Sequence, residues 1–388
     1  MEEWKIYRAE DFCLTVTDGT HDSPKPKTCG RYLITSKHLK PSGIDFSSAN
    51  KIGEEDYNKI IQRSKVEQYD ILFSMIGTIG NIHRVTIPTV DFAVKNMGIF
   101  KMGGDAYRSL WMYYWLQSPE AKEYINSRVT GSTQGYLTLG NLRDFPIRVP
   151  SIEEQKKIVD ILSSLDDKIE VNRRINDNLE QQAQALYKQW FVDFDTIKLG
   201  DAITTTSGGT PSRKNPEYYD GNYGWVKSKE LNCSFIIDTE EKITEQAISK
   251  SAAKMLPKKS VLIAMYGATV GQYALLSSSM ACNQAVCALL PNENYPYTYL
   301  FMFAKNKKEE LINKAVGSAQ QNISQVLIKD LDISNDILKI KQFHTIVNPF
   351  FETIEKNQQE ITRLTTLRDT LLPKLMSGEL SVEDVLVD

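Results

Sequence analysis

Residues 150–194 read PSIEEQKKIVDILSSLDDKIEVNRRINDNLEQQAQALYKQWFVDF. Apolar side chains fall at Ile158, Ile161/Leu162, Leu165 and Ile169, then after Asn172 at Ile175, Leu179, Ala183, Leu186 and Trp190. Steps of three and four place them in one narrow stripe on a helix, and charged residues fill the rest of its surface. So narrow a stripe calls for one partner helix, as in a coiled coil. Forty-odd residues rising ~1.5 Å each span ~60 Å, which is a strut rather than an ordinary domain helix.

The partner stripe lies near the other end of the chain: Ile340, Phe343, Val347, Phe350/Phe351, Ile354, Asn357, Ile361, Leu364, Leu367, Leu371 and Leu375. Asn172 and Asn357 follow the isoleucines Ile169 and Ile354 in the two stripes. Each asparagine is either a register-fixing polar residue on the seam or a residue just beside it.

The globular stretches before the two struts repeat one order of segments. Thr17–Lys27 is a polar Gly/Pro/Ser loop, matched by Ser207–Lys214. RYLITSKHL matches GWVKSKEL, both ending Ser-Lys-x-Leu. DILFSMIGTIGN matches SVLIAMYGATVGQ, each a buried strand, a glycine turn and a second strand. FAVKNMGIFK matches MACNQAVCALL, with Asn96 aligned to Asn283. A helical stretch follows in each half, then a glycine-led loop. The fold class is therefore mixed α+β: two pseudo-repeated α/β domains joined by two long antiparallel coiled-coil helices. The boundaries fall at 1–150, 151–195, 196–337 and 338–388.

The net charge of −3 argues against a generally basic, sequence-blind nucleic-acid binder. The charge is unevenly spread, at −4 over 151–195 and −2 over 337–388, with mildly basic globular stretches. DNA, if bound, belongs to the globular parts, and the struts face protein. Five cysteines without CxxC spacing read as reduced thiols of a cytoplasmic protein. No apolar run is long enough for a membrane span, and MEEWKIYRAE does not read as a signal peptide.

No catalytic pattern emerges. The four histidines form no HxxxH or HExxH, and GxSxG and GxxxxGK[ST] are missing. The Gly77–Gly80 and Gly267–Gly271 turns are tight turns, made either for packing or for close approach of backbone to phosphate. Asn348-Pro349-Phe350-Phe351 imitates a methyltransferase box but sits in the second stripe, where Pro349 is expected to kink or break the helix. What remains suits recognition: hydroxyl, amide and basic side chains on turns beside rigid strands. The candidates for DNA contact are Thr20, His21, Lys25, Lys27, Ser36, Lys37, Arg84 and Gln134 in the first half. In the second they are Thr210, Ser212, Arg213, Lys214, Lys227, Ser228, Lys229, Gln320 and Gln321.

Several segments, with the repeat, carry a family resemblance: Pro150–Gln155, Leu165-Asp166-Asp167-Lys168-Ile169-Glu170, Tyr187–Phe194 and Leu371–Leu380. The chain resembles the specificity subunit of type I restriction-modification systems. In the second copy the Glu-Glu-Gln run degrades to Leu338-Lys339-Ile340-Lys341-Gln342, which weakens the match there. The resemblance implies a non-catalytic, DNA-binding subunit with two target recognition domains. Each domain would read one half of a split double-stranded DNA sequence, and the helices would set the gap. It implies methyltransferase subunits, two of them, docked on the helices and supplying S-adenosylmethionine and adenine-N6 methylation. It further implies restriction subunits that bring ATP and Mg, and no cofactor, metal or membrane for this chain. A stand-alone DNA-modifying enzyme and a coiled-coil scaffold with ligand-binding domains are the alternative readings.

Overall fold

The computed structural model describes residues 4–40, 43–131, 135–192, 195–315 and 322–385. The chain divides into two compact units, residues 1–167 with 366–388, and residues 168–365.

In the first unit an antiparallel sheet runs in the order Thr15–Asp18, Met97–Lys101, Ile71–Ser74, Ile82–Arg84. A second sheet places Arg31–Ile34 between Asn50–Ile52, antiparallel, and Phe92–Val94, parallel. Lys5–Arg8 pairs with Pro146–Val149. The run ILFS shows no polar alternation because both of its faces are covered. Ile71 and Phe73 pack with Phe100, Trp111, Met112 and Trp115, while Leu72 packs with Ile34, Phe92, Val94 and Ile99.

The second unit repeats this arrangement. Thr204–Ser207, Val286–Leu290, Val261–Ala264 and Tyr273–Leu276 lie in the corresponding order, extended by the short strand Phe235–Ile236. Tyr223–Val226 sits between Lys242–Ile243 and Ala281–Cys282, and Thr196–Lys198 pairs with Asp332–Ser334. VLIA divides as ILFS does: Val261 and Ile263 enter one core, Leu262 and Ala264 the other. The mixed α+β class and the repeated topology therefore hold in each unit taken by itself.

The helical stretch after the sheet differs between copies. The second is one helix, Tyr297–Lys314. The first is two, Ala106–Trp115 and Pro119–Arg128. Ser118 Oγ accepts from the Ala121 amide at 3.1 Å, and Pro119 occupies the first helical position, so a new helix starts there.

The two long helices are Ile152–Trp190 and Ile337–Ser377. Ser151 caps the first, its Oγ accepting from the Glu154 amide at 3.3 Å. Asp336 caps the second, accepting from the Lys339 amide at 3.0 Å. The second helix thus keeps its cap although its Glu-Glu-Gln run has degraded. It runs unbroken through Pro349, which corrects the expected break.

The helices pack antiparallel within each unit. In the first, Arg368 Nη1 donates to Asp166 Oδ1 at 2.7 Å, and Tyr114 Oη donates to Asp166 Oδ2 at 2.8 Å. In the second, Asn172 Nδ2 donates to Glu360 Oε2 and Asn357 Nδ2 to Asn176 Oδ1, both at 2.8 Å. Both asparagines therefore face the partner helix, but they do not meet each other. The expected stripe needs two corrections. Ile175 is exposed and Asn176 is buried in its place; Leu367 is exposed and Arg368 turns inward. From a buried Asn172 a step of four, not three, keeps the stripe on the contact face. Inter-helix hydrogen bonds satisfy these inward polar groups.

Two of the segments that carried the resemblance are joints between helix and sheet domain. Tyr187 and Phe191 interlock with Tyr299 and Phe343, with ring centroids 5.0–5.8 Å apart. Leu372, Leu375 and Met376 enter the first unit's core, and Gly378, at φ 76°, ends that helix in the left-handed conformation glycine favours.

Burial lowers the proton affinity of three histidines. His83 is pushed down to about 4, and His38 and His344 are also lowered, each chiefly by desolvation. An unfolded chain accepts protons below its ordinary pKa of about 6.5 that the folded one refuses, so stability falls as pH drops from there toward 4. The unfolding free energy, read from urea melts, is expected to fall between pH 7 and pH 5, with His83→Gln reducing that fall by on the order of 2 kcal/mol. An unchanged slope in that variant would contradict the assignment.

Candidate nucleic-acid interface

In both units the Gly/Ser/Pro loop leaves the edge strand of the main sheet and crosses the turn that links the two sheets. The Gly19 amide donates to Met97 O at 2.8 Å and the Thr20 amide to Val94 O at 3.0 Å. In the second unit the Gly208 amide donates to Val286 O at 3.4 Å and the Gly209 amide to Cys282 O at 3.0 Å. A Cβ on Gly19 would stand 2.3 Å from Val94 O, and one on Gly208 2.0 Å from Cys282 O. Glycine is required at both places because backbone passes against backbone. A polar side chain beyond each glycine then reaches the turn. His21 Nδ1 pairs with Asn96 Oδ1 at 2.8 Å, and Thr210 Oγ1 hydrogen-bonds Gln284 Oε1. The Lys95 amide bonds Ile34 O as the Asn283 amide bonds Val226 O, so Asn283 corresponds to Lys95 and the expected alignment with Asn96 slips by one.

The Ser-Lys-x-Leu segments are single 3₁₀ turns, Ser36–His38 and Ser228–Glu230. The third residue of each turns back to cap the residue before it. His38 Nδ1 accepts from the Thr35 amide at 2.9 Å, and Glu230 Oε2 from the Lys227 amide at 2.7 Å. This leaves Lys37 and Lys229 exposed at equivalent positions.

The loop and turn do not carry the same chemistry in the two units. In the first, His21 Nε2 pairs with Asp18 Oδ2 at 2.9 Å, and Arg63 reaches Asp18 Oδ1 at 3.2 Å. Thr20 is buried, its Oγ1 accepting from the Asp22 amide at 3.1 Å. Lys25, Lys27 and Lys37 are exposed and form no ion pair among the described residues. Ser36 is partly buried in its turn. Arg84 lies apart from the group. Its Nε donates to Ser109 Oγ at 3.0 Å, its guanidinium lies 5.0 Å over the Tyr69 ring, and burial lowers its pKa.

In the second unit the candidates from two separate stretches join in one ionic network. Arg213 Nη2 meets Glu241 Oε2 at 2.6 Å; Lys227 lies 3.3 Å from Glu241 and 3.0 Å from Glu240; Lys229 lies 2.6 Å from Glu240. The Arg213 guanidinium holds Glu241 below the ordinary carboxylate range, and Lys229, then Lys227, do the same for Glu240. Burial opposes the charge on Lys227, but the two carboxylates outweigh it and raise its pKa. Ser212 and Lys214 stand exposed at the loop tip, and Ser228 is partly buried in its turn.

Gln134, Gln320 and Gln321 lie outside the described residues. The described residues that follow these segments lie beside the glycine turns, through bridges Ile76 to Tyr136 and Tyr266 to Asn322. Reading the sequence missed Asp18, Arg63 and Asn96 in the first unit, and Glu240, Glu241 and Tyr219 in the second. A Glu-Glu pair near a Lys-rich turn was the available signal, but nothing in its spacing shows which cations it meets.

Among the described residues no three His, Cys, Asp or Glu side chains cluster as metal ligands, and no helix is long and apolar enough to cross a membrane. A cleft of about 580 Å³ in the first unit, lined by Tyr7, Phe12, Tyr107, Arg108 and Lys156, contains none of the candidates.

Comparison with known proteins agrees with this architecture. The family model for the type I restriction modification DNA specificity domain matches residues 1–181 and again 192–366. The MjaIX specificity subunit of Methanocaldococcus jannaschii is 28% identical over 324 residues, covering 72% of this chain and 71% of that one. The HindI specificity subunit of Haemophilus influenzae is 25% identical over 355 residues, covering 69% and 77%. The crystal structure of a type I S subunit from M. genitalium covers 96% of both chains with a TM-score of 0.56 at 17% identity, a likeness of fold. With one family domain matched twice in tandem along nearly the whole length, the chain belongs to the family of type I restriction-modification DNA specificity subunits.

Proposed function

We propose that this chain reads a two-part double-stranded DNA target, one part per unit, and contributes no reaction centre of its own. The observation that carries the reading is one strand topology present twice, presenting unlike side chains from the same loop and turn. Beyond the equivalent glycines the first unit presents His21 on Asn96 and Asp18, whereas the second presents Thr210 on Gln284 and, further along the loop, Arg213 on Glu241. Equivalent scaffolds with unlike readers suit unlike half-sites. Among the candidate cations, Lys25, Lys27, Lys37 and Lys214 are exposed and have no ion pair with the described residues, which suits them to phosphate.

The long helices set the gap between the half-sites and carry the modification subunits, two per chain. Those subunits bind S-adenosylmethionine and methylate adenine at N6; restriction subunits add ATP- and Mg-dependent cleavage. The acidic helix surfaces, which leave Val171, Ile175, Ile346 and Leu367 exposed, support a protein partner there. The test is methyl transfer from labelled S-adenosylmethionine to host DNA stripped of its methylation. The chain alone is expected to give none and the chain with its modification subunit to give it; transfer by the chain alone would overturn the reading. Lys25→Ala with Lys27→Ala is expected to weaken DNA binding about equally for all sequences and to shallow the salt slope by about two.

A further inference from the structure

We infer that Arg213 reads a guanine in the half-site of the second unit, presenting the free edge of its guanidinium to O6 and N7 in the major groove. This rests on the DNA reading proposed above and names what one side chain of that site recognises.

The geometry is that of an arginine built to project. Its guanidinium lies 4.0 Å from the centre of the Tyr219 ring and 5.4 Å from that of Trp225. Tyr219 is fixed in turn: its Oη donates to Pro211 O at 2.6 Å, and its ring meets Trp225 at 5.8 Å and 71°. Trp225 is buried and donates from Nε1 to Gly209 O at 3.0 Å, which ties the platform to the loop itself. Glu241 takes only Nη2. Nη2 carries a second hydrogen, which with the neighbouring Nε or Nη1 still forms a two-pronged edge; Nε and Nη1 have no partner among the described residues, and the side chain is 55% exposed. Arginine forks to guanine O6 and N7 more often than it makes any other specific base contact, and a fork held in place before binding loses little freedom on binding.

Arg31 does not share this arrangement. Also over a tyrosine, it spends one edge on Glu54 at 2.7 Å and points the other at Asp91, 3.6 Å away. The local charge favours a base over a phosphate. Glu241, paired with the guanidinium at 2.6 Å, offsets the charge that a phosphate would need, whereas a guanine edge offers neutral acceptors.

The full chain assembled with a modification subunit is mixed with a random-sequence duplex library, and the bound duplexes are sequenced. Arg213→Ala and Arg213→Lys are compared with the unaltered chain. Both variants are expected to lose preference at one G·C position of one half-site by roughly 5- to 150-fold, with the other positions kept. Lysine fails like alanine because a point charge cannot fork. A uniform fall across all sequences would make Arg213 a phosphate contact, and an unchanged motif would leave it no reading role; either overturns the inference. Absence of any motif with the unaltered chain is the separate failure of the DNA reading, and the inference falls with it.

Discussion

Assembled with its modification subunit, a chain lengthened by seven residues in each long helix, between 167 and 168 and between 365 and 366, is expected to direct methylation away from its original sites and to new ones. Two helical turns keep the seam on the same face to within about 20° and add ~10 Å along the axis. At ~3.4 Å per base pair the unread gap grows by about three base pairs while both half-sites stay as they were. The matched insertion preserves the contacts Asp166–Arg368 on one side and Asn172–Glu360 and Asn176–Asn357 on the other, which an insertion in one helix alone would misalign. Sequencing of methylated sites reads the result. A changed half-site, or an unchanged gap, would count against the helices as the spacer.

The second large effect lies in the first unit's core. Lys101→Met is expected to cost about 3–5 kcal/mol. Asp70, 1% exposed, holds Lys101 Nζ at 2.6 Å and accepts from the Glu67 and Met102 amides at 2.7 and 3.2 Å. Burial raises the pKa of Asp70, and the Lys101 ammonium and the two amides pull against that. Without Lys101 a charge is left in the interior with too few partners. The second unit has the uncharged solution at the corresponding places: Ser260 donates to Pro257 O at 2.8 Å, and Leu290 stands in for the lysine. Asp70→Ser combined with Lys101→Leu should therefore recover most of the loss, since removing both charges leaves no orphan. Urea unfolding of the full chain measures both; a double variant as weak as the single one would contradict this account.

The struts, the twofold repeat and the buried strands were legible because each rests on periodicity, which burial imposes directly. VLIA and the Ile71-Leu72-Phe73 run of ILFS are apolar without alternation because both faces of each strand are covered. The details of the seam were not legible. Apolar stripes favour Ile175 and Leu367, and only an inter-helix hydrogen bond explains why Asn176 and Arg368 lie inward instead. The candidate surface was legible as a set of loops and turns. Its wiring was not: Glu240 and Glu241 join Arg213 to Lys227 and Lys229 beside the pairing of Tyr223–Val226 with Lys242–Ile243, which spacing does not reveal, and Arg84 is taken up by Ser109.

Mapping methylated adenines in genomic DNA from cells that carry this chain with its modification subunit tests the central claim most directly. The account predicts two short, unlike blocks separated by a gap of constant length and indifferent sequence. A single contiguous block, or two blocks of the same sequence, would contradict it.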